Sequence, residues 1–389
     1  MKNSRAYFDY NASAPLRPEA REAMLAALDL TGNASSVHGE GRRLRQMIED
    51  ARECVAALVG AKASEVVFTG GATEANNWVL RGAFDTVITT EIEHESILAP
   101  ASIAAGTLIT IGAGSDGVVN VAEIAEAVLV DAPAPGRALV SVQMANNETG
   151  VVQPVADIAD FARAHGLYMH TDATQVAGRM GIDFAALGLD YLSMSGHKIG
   201  GPKGVGALVI RDGLELPALM RGGGQERRRR AGTENVPAIA GFGAAARGAL
   251  ADLARVDEVR RLRDLLETGV REIAPDAVVV GAESDRICNT SCIALPGQPS
   301  SVVLIKLDLA GIAVGAGSAC SSGKIGGSHV MQAMGLDAAV GEAAIRVSIG
   351  AGTTEAEVAS FLAAWGEIYE GAVRRRAKGV AETAPAELR

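Results

Sequence analysis

Lys198 closes the run Ser195-Gly196-His197-Lys198, 26 positions after Asp172, and a cysteine follows much later in Gly317-Ser318-Ala319-Cys320. A lysine can lose its proton and attack a carbonyl as a Schiff-base amine, which an arginine cannot do. The chain has 29 arginines and 7 lysines, so a need for positive charge does not explain the lysine at 198. A carboxylate at a strand end, such as Asp172 in His170-Thr171-Asp172, is costly to bury without a cationic partner, and a protonated pyridine nitrogen is such a partner. A separate thiol adds a nucleophile. Together these three residue types suit chemistry at the sulfur of an amino acid. Each has an ordinary alternative: a solvated turn lysine, a helix N-cap aspartate and an inert small loop residue. Lys203, in Gly201-Pro202-Lys203-Gly204, is a rival to Lys198, but its place in a turn before a strand reads as structural.

These residues need a frame. β-rich runs at 65–69, 86–90, 108–111, 138–144, 167–171, 191–195 and 206–210 alternate with helical patterns, which predicts parallel strands joined by crossover helices. Segment 155–165 has helical apolar spacing and stops at Gly166, as a C-cap would. In an open sheet of this kind, ligands gather at the carboxyl ends of the strands, and Thr73, Asn147, Asp172 and Lys198 all fall there. The run Thr69-Gly70-Gly71-Ala72-Thr73-Glu74-Ala75-Asn76-Asn77 follows a strand and opens a helix. Its amides and the Thr73 hydroxyl can wrap a phosphate at the positive helix end, or it is an ordinary tight turn. After about 255, a charged helix (255–273), strands at 276–281, 292–295 and 344–349, a helix at 301–310 and a glycine-rich loop leading to Cys320 predict a smaller α+β unit. A helix at 354–374 closes it, and the tail 375–389, without apolar periodicity, is expected to fray.

With 389 residues and 48% hydrophobic content, the chain is long enough for more than one core. The expected domains are 16–255, and 1–15 together with 256–389. A net charge of -10 argues against nucleic-acid or anionic-membrane binding and for small-molecule chemistry. No stretch offers the roughly 18 uninterrupted apolar residues of a membrane span, so a cytoplasmic protein is expected. Four scattered cysteines (Cys54, Cys288, Cys292, Cys320) do not make a disulfide framework. Cys288 and Cys292 lack a second ligand pair and read as core residues, as does Cys54. The run Arg227 to Arg230 reads as a solvated or dimer-edge face, with a phosphate-proximal edge as the alternative.

Taken as a set, the motifs resemble those of a cysteine desulfurase of the class V aminotransferase group. They are Tyr10-Asn11-Ala12-Ser13-Ala14-Pro15, Thr69 to Asn77, Glu93-His94, Asn146 to Gly150, Asp172 to Gln175, Ser195 to Lys198, Gly222 to Arg227 with Ala231-Gly232-Thr233, Gly317 to Cys320, and Ile345 to Ser348. They cover nearly the whole chain in family order. The resemblance implies a fold-type I transferase dependent on pyridoxal 5'-phosphate, with a large, mostly parallel seven-stranded sheet domain and a smaller α+β domain. It implies that Lys198 forms the Schiff base, Asp172 pairs with the pyridine nitrogen, and His94 stacks on the ring and assists proton transfers. Gln175 and Asn147 would reach the ring oxygen or substrate. Ala72, Thr73, Ser195 and His197 would hold phosphate, with Thr233 reaching over from the second subunit of a homodimer. Arg346 would clamp the carboxylate of L-cysteine, with Asn11 and Asn147 beside it, and Cys320 would take the sulfur as a persulfide. The expected acceptor is an iron-sulfur scaffold or another sulfur-acceptor protein, with no structural metal and at most a transient iron-sulfur contact at Cys320. A selenocysteine lyase or a transaminase on the same fold are the rival enzymes, and a non-catalytic scaffold is the rival of another class.

Overall fold

The computed structural model describes residues 5–104, 106–131, 136–317 and 328–383, with side chains to 375 and not at 131. In chain order the strands are β1 (Ala6–Phe8), β2 (Val66–Thr69), β3 (Thr86–Thr90), β4 (Thr107–Ile111), β5 (Ala138–Ser141), β6 (Tyr168–Asp172), β7 (Tyr191–Ser195), β8 (Gly206–Ile210), β9 (Val278–Val280), β10 (Thr290–Ala294), β11 (Ile312–Ala316) and β12 (Ala344–Ser348). One sheet has seven strands in the order β2-β8-β7-β6-β5-β3-β4, and β8 alone runs antiparallel to its neighbours. The fold is therefore the expected α/β one, with a mostly parallel large sheet.

Its central strands are buried on both faces, as crossover helices require. β3 reads Thr-Val-Ile-Thr-Thr and every residue is buried; β-branched side chains suit that pleated environment. Full burial of Val87 or Ile88 contributes about 1.5–3 kcal/mol each. The covering helices are amphipathic for the same reason. Val155–Ala164 buries Val155, Ile158, Ala159 and Ala162, a helical stripe, and Gly166 just beyond it takes φ +68°, the left-handed cap its sequence announced.

The second sheet has the order β1-β11-β12-β10-β9 and its own apolar cluster around Phe8, Leu266, Ile293, Phe361 and Trp365. Here the sequence expectations need correction. Residues 312–316, expected as the start of a glycine-rich loop, form β11, because β1 pairs with them in parallel from Ala6↔Ile312 to Phe8↔Val314. A three-residue strand whose partner lies some 300 positions away leaves no periodic trace. β5 stops at Ser141, short of the expected 144. The last helix runs Glu355–Thr383, past the expected end at 374, because arginine, alanine and lysine sustain a helix by propensity without an apolar stripe.

Candidate active site

The carboxyl ends of β2, β5, β6 and β7, together with residues 11–13, surround a cavity of about 900 Å³. Of the residues expected at the site, Asn11, Ala72, Thr73, His94, Asn147, Asp172, Gln175, Ser195, His197, Lys198 and Arg346 all line it. Thr233 does not; it is exposed on its own chain, and its assignment depends on a second copy. Cys320 lies outside the described residues.

The helix Ala72–Leu80 begins at Gly71, which takes φ +153° and offers no side-chain cap. A helix start whose amides no side chain satisfies leaves those amides open to an anion. Close packing fixes the turn: a Cβ on Gly206 of β8 would stand 2.7 Å from the Gly71 backbone, so only glycine lets the strand approach. Thr73 is exposed in this first turn, whereas Ser195 and His197 come from the end of β7. His197 Nδ1 is buried without a hydrogen-bond partner. Burial, helped by Lys198 and Lys203, pushes the His197 pKa down to about 4, so the imidazole is neutral.

Asp172 ends β6 and is 8% exposed. Its Oδ2 accepts a hydrogen bond from Asn76 Nδ2 (2.8 Å) and its Oδ1 from the amide of Thr174 (2.9 Å). Lys198 ends the short 3-10 turn Gly196–Lys198, and its Nζ donates to the carbonyls of Asn11 (2.5 Å) and Ala12 (3.1 Å). Gln175 Nε2 donates to the same Asn11 carbonyl (3.1 Å). Asn11 is fully buried and joins the two sheets, donating to Thr290 Oγ1 (2.9 Å) and the Asn147 carbonyl (3.3 Å). His94 stands before the helix Glu95–Ala104; its Nδ1 contacts Ser96 Oγ (2.8 Å) and accepts the amide of Ser96 (3.1 Å).

Arg346, on β12, is 3% exposed. It donates through Nη2 to Asp9 Oδ1 (2.9 Å) and through Nη1 to the Asn147 carbonyl (3.0 Å), while its Nε has no partner. Glu148, buried beside the cavity, accepts from Ser328 Oγ (2.5 Å), and burial raises its pKa above the usual carboxylate range. The arginine run is not a simple solvated face. Arg230 pairs with Glu74 (2.9 Å) on the cavity wall, and Arg227 reaches the Ser64 carbonyl (2.6 Å). Cys288 and Cys292 are buried and Cys54 is half-buried, as expected of packing residues. Lys203 is exposed but lines the same cavity.

Residues that sequence reasoning left without a role are Asn76, Ser96, Asp9 and Glu148. Asn76 and Glu148 lie inside recognised motifs, Ser96 stands two positions after His94 and Asp9 just precedes Tyr10. Nothing but their neighbours in space marks them out.

The donor set fits pyridoxal phosphate. A cap-free helix start with hydroxyls and an orphaned His197 Nδ1 suits the phosphate, a buried carboxylate suits the pyridinium, and a lysine amine faces the same cavity. Among the described residues no cluster of metal-binding side chains occurs and no helix is long and apolar enough to cross a membrane.

Comparison with known proteins agrees with this geometry. The model of the aminotransferase class-V family matches residues 6–361. A cysteine desulfurase of Cereibacter sphaeroides is 42% identical over 92% of this chain and 94% of its own length. An IscS-like cysteine desulfurase of Mycobacterium tuberculosis is 39% identical over 95% of this chain and 96% of its own. The crystal structure of a NifS-like protein from Rickettsia africae superposes with a TM-score of 0.87 at 32% identity, covering 94% of this chain and 99% of that one.

Proposed function

We propose that this chain, which belongs to the class-V aminotransferase family and within it to the cysteine desulfurases, moves sulfur from L-cysteine to the Cys320 thiol with pyridoxal phosphate held at Lys198. The observation that carries this reading is the convergence of Lys198, Asp172, His94 and Arg346 on one cavity. The overall reaction is balanced: the C–S bond of L-cysteine breaks, a S–S bond to Cys320 forms, and L-alanine leaves with the proton that the thiol gives up.

When bound, the cofactor supplies an electron sink that weakens bonds at Cα of the amino acid. The rest falls to the chain. Thr73, Ser195, His197 and the amides at Ala72 hold the phosphate, with Thr233 of a second copy in a homodimer adding a hydroxyl. Asp172 keeps the pyridine nitrogen protonated. Gln175 and Asn147 orient the ring oxygen and the substrate. Arg346, beside Asn11 and Asn147, holds the substrate carboxylate; its buried Nε with no partner is a donor waiting for an acceptor, since such groups are expensive to leave unmet. Lys198, whose amine would hold the cofactor, would also move protons at Cα of the substrate. The sulfur then passes to an iron-sulfur scaffold or another acceptor protein.

The test is a single-turnover incubation of the purified protein with L-cysteine without reductant. Equal yields of alanine and of persulfide on Cys320, located by mass spectrometry, support the reading. Alanine without that persulfide, or no alanine, overturns it.

A further inference from the structure

The mechanism leaves Asn76 unused, yet its position is expensive. It is fully buried on the helix Ala72–Leu80, and its Oδ1 has no hydrogen-bond partner. Its Nδ2 donates to two groups at once, Asp172 Oδ2 at 2.8 Å and Ser96 Oγ at 2.9 Å. Asp172 as a carboxylate can only accept, so the amide orientation is fixed and nitrogen faces it. Ser96 Oγ thereby accepts a hydrogen bond from Asn76 and has its own O–H left to donate. The neighbour at 2.8 Å is His94 Nδ1, which also accepts the backbone amide of Ser96 at 3.1 Å. A backbone N–H cannot reverse its direction. The Asn76 amide and the Ser96 backbone N–H are fixed donors, and the arrangement consistent with both has the Ser96 hydroxyl donating to His94 Nδ1 as well.

We propose that Ser96 and Asn76 are positioning residues that hold His94 as a neutral imidazole protonated at Nε2, so that His94 presents a fixed Nε2–H to the cavity for the proton transfers it assists. This rests on the reading of the cavity as the site of sulfur chemistry and says how one of its residues works. An imidazolium at His94 would set an Nδ1–H against the Ser96 amide and turn the hydroxyl away. The charged and titratable groups around the ring favour the same state on balance: burial lowers its pKa, Lys198 and His329 lower it further, and Asp172 and Glu95 oppose them. The choice of asparagine follows too. Aspartate at 76 would set a second carboxylate against Asp172, and leucine of similar size would break the relay at both ends.

The experiment uses the holoprotein with 15N-labelled histidine, with His94→Gln to assign the signals. In the wild-type protein His94 should show one protonated Nε2 and one unprotonated Nδ1 at neutral and alkaline pH. Ser96→Ala removes a single oxygen and keeps the backbone donor, so it reports even where Asn76→Leu does not accumulate. Each variant should raise the His94 pKa by roughly half a unit to one unit, with a mixture of tautomers, and lower kcat about five- to tenfold with KM little changed. An Nδ1-protonated tautomer or an imidazolium at neutral pH in the wild type overturns the proposal, as do variants whose His94 signals do not move. Failure of the desulfurase reading would be separate: the wild type would make no alanine, whatever the tautomer of His94.

Discussion

Arg52 and Arg346 are both 3% exposed, but their donors are used to different degrees. Arg52, under the loop at 225–228, gives Nη1 to Glu226 (2.8 Å) and the Val66 carbonyl (2.7 Å), Nη2 to Glu226 (3.0 Å) and Nε to Glu49 (3.2 Å), and lies 4.9 Å over the Phe68 ring. Glu226 also accepts the Phe68 amide at 2.9 Å. This completed pair pins three consecutive non-glycine residues in the left-handed region, Glu226, Arg227 and Arg228, at a backbone cost of order 1–3 kcal/mol each. Arg346 has one carboxylate contact, one carbonyl and an orphaned Nε. Arg52, with every donor used, is a strut, whereas Arg346 stands on the cavity wall with one donor left without a partner.

The widest separation between the two regions comes from Lys198. Lys198→Ala should lower alanine formation by at least about 10³-fold, because the nucleophile itself is lost, while the melting temperature of the protein stays within a few degrees. Loss of fold together with activity would remove the distinction. Arg52→Leu should do the reverse. It strands Glu226 in a dry site and should cost about 3–5 kcal/mol in denaturant unfolding, while alanine yield per folded molecule stays near that of the wild type. Arg52→Leu with Glu226→Leu should recover part of that loss, since no charge is then left unpaired.

Arg346→Gln sharpens the contrast at the cavity. The expected result is a fall in kcat/KM of about 10²-fold, mostly through KM, as loss of a charge-assisted carboxylate contact predicts. Its stability should change less than that of Arg52→Leu, because Asp9 remains in reach of water. Initial-rate kinetics beside unfolding curves would show whether the two arginines really divide in this way.

The pH-dependent case is Glu93, which neighbours His94 and is fully buried. Its Oε1 accepts Thr90 Oγ1 and the Gln143 amide, its Oε2 has no partner, and burial raises its pKa to about 8. A carboxyl whose folded pKa lies above its unfolded value contributes its stability below about pH 4.5 and loses it as pH rises through about 8. Glu93→Gln should therefore gain stability relative to the wild type as pH climbs through that window, by no more than about 1.4 kcal/mol per pH unit. A stability difference that is flat with pH would show that Glu93 is ionised in the folded protein.

Much of this was legible in the sequence, for identifiable reasons. Strands such as Thr86–Thr90 and Gly206–Ile210 carry their own β-branched, apolar signature, and Gly166 announces a helix end. The cavity residues Lys198, Asp172, His94 and Arg346 stand in motifs whose residue types are chemically unusual. The short strand Ala6–Phe8 could not be read, since its partner Ile312–Ala316 is known only by register. Asn76 and Ser96 were equally opaque, because asparagine and serine on helices are commonplace until a carboxylate and an imidazole are seen at either end.

What the sequence determined by itself was the alternation of elements and the chemical identity of the groups that can react: a lysine, an aspartate, a histidine, an arginine and a thiol. Those follow from side-chain type and local periodicity, which need no distant partner. Only the tertiary structure decided which of them share a cavity, that Arg346 keeps a donor without a partner there, and that Asn76 and Ser96 line up between Asp172 and His94. Those depend on distances and directions between residues far apart in the chain, and hydrogen bonds are set by angstroms.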